Sequence, residues 1–167
     1  MKTIGLVALL VVSSIGCSTL FFPQAVCAAA DQAPILYLFW GDGCPHCEEE
    51  KEFLLEIYQQ YPNIEMRWFE VWGHPKYALL ADTLRKAAGI ATTSVPMTFI
   101  HDWSLVGFRS AETSGIEIIE QLEECLNTGC KDVLTTIGPQ RIAEEIRRDI
   151  AKGECEDWEY FPPREAK

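Results

Sequence analysis

The sequence predicts an α/β domain in the element order βαβαββα, followed by a C-terminal helical appendage. Three observations lead there. A continuous apolar run, Ile35-Leu36-Tyr37-Leu38-Phe39-Trp40, is bounded by Gly41-Asp42-Gly43 and reads as a strand buried on both faces. Directly after it a C-x-x-C motif, Cys44-Pro45-His46-Cys47, opens a segment whose apolar residues return at helical spacing. Strand-like and helix-like stretches then alternate until two short strands meet at a turn.

Each element has its own signals. Pro45 suits a first helical turn, and Glu48, Glu49 and Glu50 favour the positive end of the helix dipole, with side chains expected in solvent. Phe53, Leu54, Ile57 and Tyr61 recur on one face before Pro62-Asn63 breaks the helix. Ile64 to Trp72 reads as the second strand, with Ile64, Met66 and Trp68 alternating with polar residues. A helix from about Pro75 to Ala88 stops at Gly89. The loop from Ala91 to Pro96 leads into the strand Met97–Ile100, a turn at His101-Asp102-Trp103 and a strand from Ser104 to Phe108. Thr113-Ser114-Gly115 starts the last core helix, with Ile116, Ile119, Leu122 and Leu126 on one face. In the appendage, Pro139 begins a helix carrying Ile142, Ile146 and Ile150, and Gly153 ends it. Glu144-Glu145 and Arg147-Arg148 read as its solvated face, and an acidic, aromatic, proline-containing tail follows.

At 167 residues the chain has the size of one ordinary domain, with a hydrophobic share of 48% that supplies a core. Charged residues at 23% and aromatics at 11% exclude a mainly disordered chain. The net charge of −11 argues against nucleic acid and anionic membrane as partners, since both require clustered Lys and Arg. Seven cysteines are many for a reduced cytosol. The N-terminus suggests why. Residues 1–30 contain one basic side chain, Lys2, and no acidic one; an apolar run from Ile4 to Val12 precedes a small-residue close at Val26-Cys27-Ala28-Ala29-Ala30. This is the grammar of a cleaved signal peptide. The alternatives are an uncleaved anchor and a lipoprotein signal ending at Gly16-Cys17. Residues 1–30 are therefore expected to be a signal peptide, 31–130 the folded domain, and 131–167 a C-terminal helix and tail. Removing 1–30 takes Lys2, Cys17 and Cys27 with it, so the net charge moves from −11 to −12 and seven cysteines become five. The expected location is outside the cytoplasm, most simply the periplasm.

The C-x-x-C motif carries the chemistry. Its spacing brings two sulfurs within bonding distance across one helical turn. Cys44 lies where unpaired backbone N–H groups and the dipole stabilise a thiolate, an environment that lowers a cysteine pKa from about 8.5 to as little as about 3.5. A protonated His46 adds positive charge nearby. A stabilised thiolate leaves more readily, which makes the disulfide more oxidising. The competing readings are a zinc half-site, an inert structural disulfide and a copper-binding module using Cys44, Cys47 and His46. Zinc needs two further soft ligands, and only the distant Cys125 and Cys130 offer them. No metal or cofactor is assigned.

The stretch from Ile35 to Cys47 resembles the strand, turn and active site of the thioredoxin superfamily, and the order βαβαββα is that superfamily's minimal core, a central mixed sheet flanked by helices. The resemblance covers roughly residues 34–128. Val95-Pro96 stands where the family has a cis-proline facing the dithiol, and Gly107 matches a recurrent family glycine. The resemblance implies a protein thiol–disulfide oxidoreductase. Cys44 exchanges with substrate, Cys47 resolves, Pro45 and His46 tune the pair, and the residues flanking Pro96 bind an extended cysteine-containing segment. Pro-His between the cysteines, and Val before the proline, are similar to bacterial periplasmic disulfide oxidases of the DsbA type and favour the oxidase direction. Those oxidases carry a large helical insertion that has no room between Trp72 and Val95. The compact layout is closer to small exported thioredoxin-like proteins serving membrane electron carriers or cytochrome c maturation, which keeps a reductase or relay role, and a membrane redox partner, in view. One departure stands out: the family's buried carboxylate six residues before the first cysteine is replaced by Leu38, so a carboxylate from elsewhere, or water, must take the Cys47 proton.

Cys125 and Cys130, either side of Leu-Asn-Thr-Gly, are candidates for a disulfide at a helix end, with a second redox pair as the alternative. Cys155 is then left over. His74 and His101 read as surface or turn residues, and Trp40 and Trp72 as packing in the core or at the rim of the site.

Overall fold

A computed structural model describes residues 33–136, Glu144 and Arg148, and the backbone of Trp158–Phe161. The expected cleavage site, Cys17, Cys27, Cys155 and most of the appendage lie outside the described residues. The first strand, β1 (Ile35–Trp40), leads into helix α1 (Pro45–Tyr58), and β2 (Glu65–Glu70) into α2 (Pro75–Ala87). The hairpin β3 (Met97–Ile100) and β4 (Trp103–Val106) follows, then a wide helical turn at Ala111–Gly115, helix α3 (Ile116–Thr128), one short turn α4 (Val133–Thr136) and a last strand β5 (Trp158–Phe161).

The sheet order is β4-β3-β1-β2-β5. β1 runs parallel to β2 and antiparallel to β3, so Leu38 lies opposite Trp68 on one side and Thr98 on the other. β1 is thus central, and its two faces enter two separate cores. Leu36 and Leu38 join Phe53, Leu54, Ile57, Ile100, Ile118 and Leu122 beneath α1 and α3. Tyr37 and Phe39 join Phe69, Tyr77, Leu80, Leu84 and Phe99 beneath α2, with Val133 and Leu134 completing that layer. A strand covered on both sides must be apolar at every position, which is why its sequence shows no alternation.

Four elements depart from expectation. In β2 the polar positions are inside too: Arg67 and Glu70 are buried. Arg67 donates from Nε to Glu65 and from Nη1 to the Tyr37 hydroxyl, which donates to Asp132 at 2.9 Å. β4 begins one residue early, because His101 takes a positive φ of 55° and a two-residue turn places Trp103 opposite Ile100. In α3 the buried face is Ile118, Leu122 and Cys125, whereas Ile116 is exposed. The wide turn at Ala111–Gly115 holds more residues than an α-helical turn and advances the phase of the helix that follows. The tail supplies an unexpected strand: Trp158–Phe161 pairs antiparallel with β2, setting Trp158 opposite Phe69.

Candidate active site

Cys44 is the N-cap of α1, and its Sγ accepts the backbone N–H of Cys47 at 3.3 Å. Pro45, in the first turn, gives up only an N–H that the helix would leave unpaired. The two sulfurs form a disulfide, with Cα atoms 5.2 Å apart. Cys44 keeps 7% of its surface and Cys47 none, so a substrate sulfur reaches Cys44 first. His46 sits on the outer side of the helix, its Nδ1 3.3 Å from Glu49 Oε2.

Across from the disulfide, the Val95–Pro96 peptide is cis and the Val95 carbonyl oxygen lies 4.0 Å from Cys44 Sγ. Gly107, at φ +81°, turns the chain out of β4 and donates its N–H to the Pro96 carbonyl at 2.8 Å, tying the proline loop to the hairpin. Cys44, Cys47, Val95 and Pro96, scattered over 53 positions of the sequence, thus meet at one end of the sheet.

The other wall is built around Glu70. Its carboxylate accepts backbone N–H groups from Gly73 at 2.6 Å, Trp72 at 2.8 Å and Asp42 at 3.2 Å. Burial works against the charge, but these donors, with His74, hold its carboxyl below the usual range. The Asp42 bond pins the turn before Cys44 to the end of β2. Gly41 is required there, since an added Cβ would lie 2.3 Å from the Trp72 ring. Trp72 remains 62% exposed at the rim of an open cleft of about 570 Å³, lined also by Trp40, Trp68, Asp42, Glu70 and His74. Lys51 Nζ covers the Trp40 ring at 3.8 Å and reaches Glu48 at 2.8 Å.

Glu50 overturns the expectation of three solvated glutamates. Glu48 and Glu49 are exposed, but Glu50 is 1% exposed and accepts a hydrogen bond from Thr98 Oγ1. Burial pushes its carboxyl up to about 7, and the Thr98 hydroxyl offsets only part of that. The signal was in the helical phase: positions 47, 50, 54 and 57 form one stripe, and the other three are buried. An acidic run at a helix start hides such a member because composition suggests solvent.

Cys125 and Cys130 are also joined by a disulfide, S–S 1.99 Å, across the end of α3 where Gly129 turns at φ +79°. It lies in the layer beneath α1 and α3 rather than at the Cys44 site. His74 caps α2 and borders the cleft, and His101 sits in the β3–β4 turn. Among the described residues, no group of three or more His, Cys, Asp and Glu side chains is arranged to hold a metal ion.

A mixed sheet with this connectivity, and a C-x-x-C pair capping its first helix, define a thioredoxin-like fold with a Cys44–Cys47 disulfide. Among solved structures, a glutaredoxin from Archaeoglobus fulgidus is similar at 16% identity over 52% of this chain and 86% of its own, with a TM-score of 0.35. No protein-family model matches the chain, and no curated protein matches it.

Proposed function

We propose that the chain is an exported protein thiol–disulfide oxidoreductase working in the oxidase direction. The observation that carries the reading is the Cys44–Cys47 disulfide at a helix N-terminus, with Cys44 slightly exposed, Cys47 fully buried and the cis Val95–Pro96 peptide opposite. A substrate thiolate attacks Cys44 Sγ; the Cys44–Cys47 bond breaks and Cys47 keeps the electron pair. A second substrate thiolate then attacks the mixed disulfide, leaving the substrate oxidised and the Cys44–Cys47 pair reduced. The extended substrate pairs with backbone beside Pro96, and side chains next to its cysteine rest in the tryptophan-lined cleft.

The direction is supported by the backbone N–H aimed at Cys44 Sγ, which favours the thiolate and hence the reduced pair. Export is supported by the signal-like grammar of residues 1–30 and by a second disulfide, which an oxidising compartment maintains. A membrane redox partner then reoxidises the pair.

The test is the reduction potential of the couple, measured against glutathione. A value near −120 mV is expected for an oxidase, and one near −270 mV overturns the direction in favour of a reductase. A Cys47→Ser variant should trap mixed disulfides through Cys44. A variant that traps none removes protein disulfide exchange altogether.

A further inference from the structure

We propose that Glu50 is the proton-transfer group for Cys47, a role that rests on the exchange chemistry above. Each cycle puts a proton on Cys47 and takes one off, yet Cys47 has no exposed surface. Burial among apolar groups also makes a thiol harder to ionise. An internal partner is needed, and Leu38, fully buried, cannot serve. Glu50 is three residues further along the same helix, a spacing that sets Cβ atoms about 5–6 Å apart, and both side chains are buried on that face. Its carboxyl meets Thr98, the residue directly opposite Leu38 in the β1–β3 ladder. A carboxyl carried by the helix thus reaches the place in the sheet that Leu38 leaves without one.

The surroundings fit a group that changes protonation rather than a structural charge. Glu70, the other buried glutamate among the described residues, is committed as a carboxylate by three backbone donors. Among the described residues, Glu50 has the Thr98 hydroxyl as its partner and no charged group acting on it. The layer beneath α1 and α3 contains Leu38, Ile100 and Ile118, with Trp40 and Leu105 packed against it, and its titratable side chains are Tyr58 and Tyr61. Lys51, next in sequence, is engaged by Glu48 and the Trp40 ring. A pKa near neutrality lets the carboxyl accept and return a proton at comparable cost.

The step balances. In a mixed disulfide, Cys44 Sγ is bonded to the partner sulfur and Cys47 is a thiol. The Glu50 carboxylate takes the Cys47 proton, and the thiolate attacks Cys44 Sγ. The Cys44–partner bond breaks, and the partner leaves as a thiolate with the electron pair. In reverse, Cys47 departs from Cys44 as a thiolate and Glu50 returns the proton.

Glutathione disulfide is the probe. The reduced full-length chain is mixed with it from pH 5 to 9, and acid-quenched samples are resolved by mass and peptide mapping into the Cys44 adduct and the closed Cys44–Cys47 disulfide. In the wild type, closure should rise with pH through an inflection near neutrality. Glu50→Gln should lose that inflection and close on the order of 10²-fold more slowly at pH 7, with the adduct accumulating. Glu50→Asp should recover part of the rate. Thr98→Val removes the hydrogen bond that lowers the Glu50 pKa, so its inflection should move to higher pH. This variant decides the matter alone if Glu50→Gln does not fold. Closure in Glu50→Gln with the wild-type rate and pH profile, or an unmoved inflection in Thr98→Val, overturns the role of Glu50 and leaves the exchange reading standing. A wild-type chain that neither forms the adduct nor closes overturns both.

Discussion

Replacing Glu50 by Gln should change how the oxidised protein's stability depends on pH. The carboxyl moves from the usual 4.5 to about 7 on folding, chiefly because burial disfavours its charge. A raised carboxylate pKa means that the folded chain holds a proton the unfolded chain has already released. Its contribution is therefore fully present below pH 4.5 and is lost as pH rises through 7. Between those limits the slope is about −1.4 kcal/mol per pH unit, and the span of about 2.5 units gives a total near 3 kcal/mol. Glutamine keeps the shape and an acceptor for Thr98 but cannot ionise. It leaves buried amide hydrogens unpaired, at a cost of about 1–3 kcal/mol that does not vary with pH. The diagnostic is thus the slope of the difference, not its offset. Urea unfolding of both disulfide-form proteins at half-unit steps from pH 4 to 8.5 measures it, and groups common to both cancel. The wild type should lose ground to the variant across the window and run parallel to it above about pH 7.5. Parallel curves throughout would falsify the buried, protonatable state of Glu50.

Three other expectations follow from packing and hydrogen bonding. Arg67→Leu strips the cation from a buried cluster of Glu65, Tyr37 and Asp132 and should cost about 3–5 kcal/mol in chemical denaturation; a loss below 1 kcal/mol means that the cluster is solvated. Paired Cys125→Ser and Cys130→Ser replacements open a loop of five-residue separation and should cost about 2 kcal/mol, while glutathione exchange at Cys44 continues unchanged. Trp72→Ala removes an exposed ring at the cleft rim; it should raise KM for a cysteine-containing peptide roughly tenfold, about 1.4 kcal/mol, and leave exchange with glutathione unaltered. Equal loss for peptide and glutathione places Trp72 in the folding of the turn instead of substrate contact.

Much of the site was legible along the chain. β1, the C-x-x-C and the start of α1 are signalled by neighbours in sequence: an apolar run, turn formers, and Pro45 one step inside a helix. The proline loop was legible through its placement before β3. The phase of α3 was not, because it depends on the wide turn that precedes the helix. Nor was the strand at Trp158–Phe161, whose partner edge on β2 lies some ninety positions earlier.

The sequence by itself determined the order of the core elements and which two sulfurs share a helical turn, since both follow from spacing within a few residues. Only the tertiary structure decided the fate of the polar groups. Glu50, Arg67 and Glu70 are each charged in composition and buried in fact. Whether such a group goes inside depends on what distant strands offer it: the Thr98 hydroxyl for Glu50, Tyr37 and Asp132 for Arg67, and the backbone of two separate loops for Glu70. Burial of a polar side chain is an exchange between hydration and specific partners, and those partners are brought together only when the sheet forms.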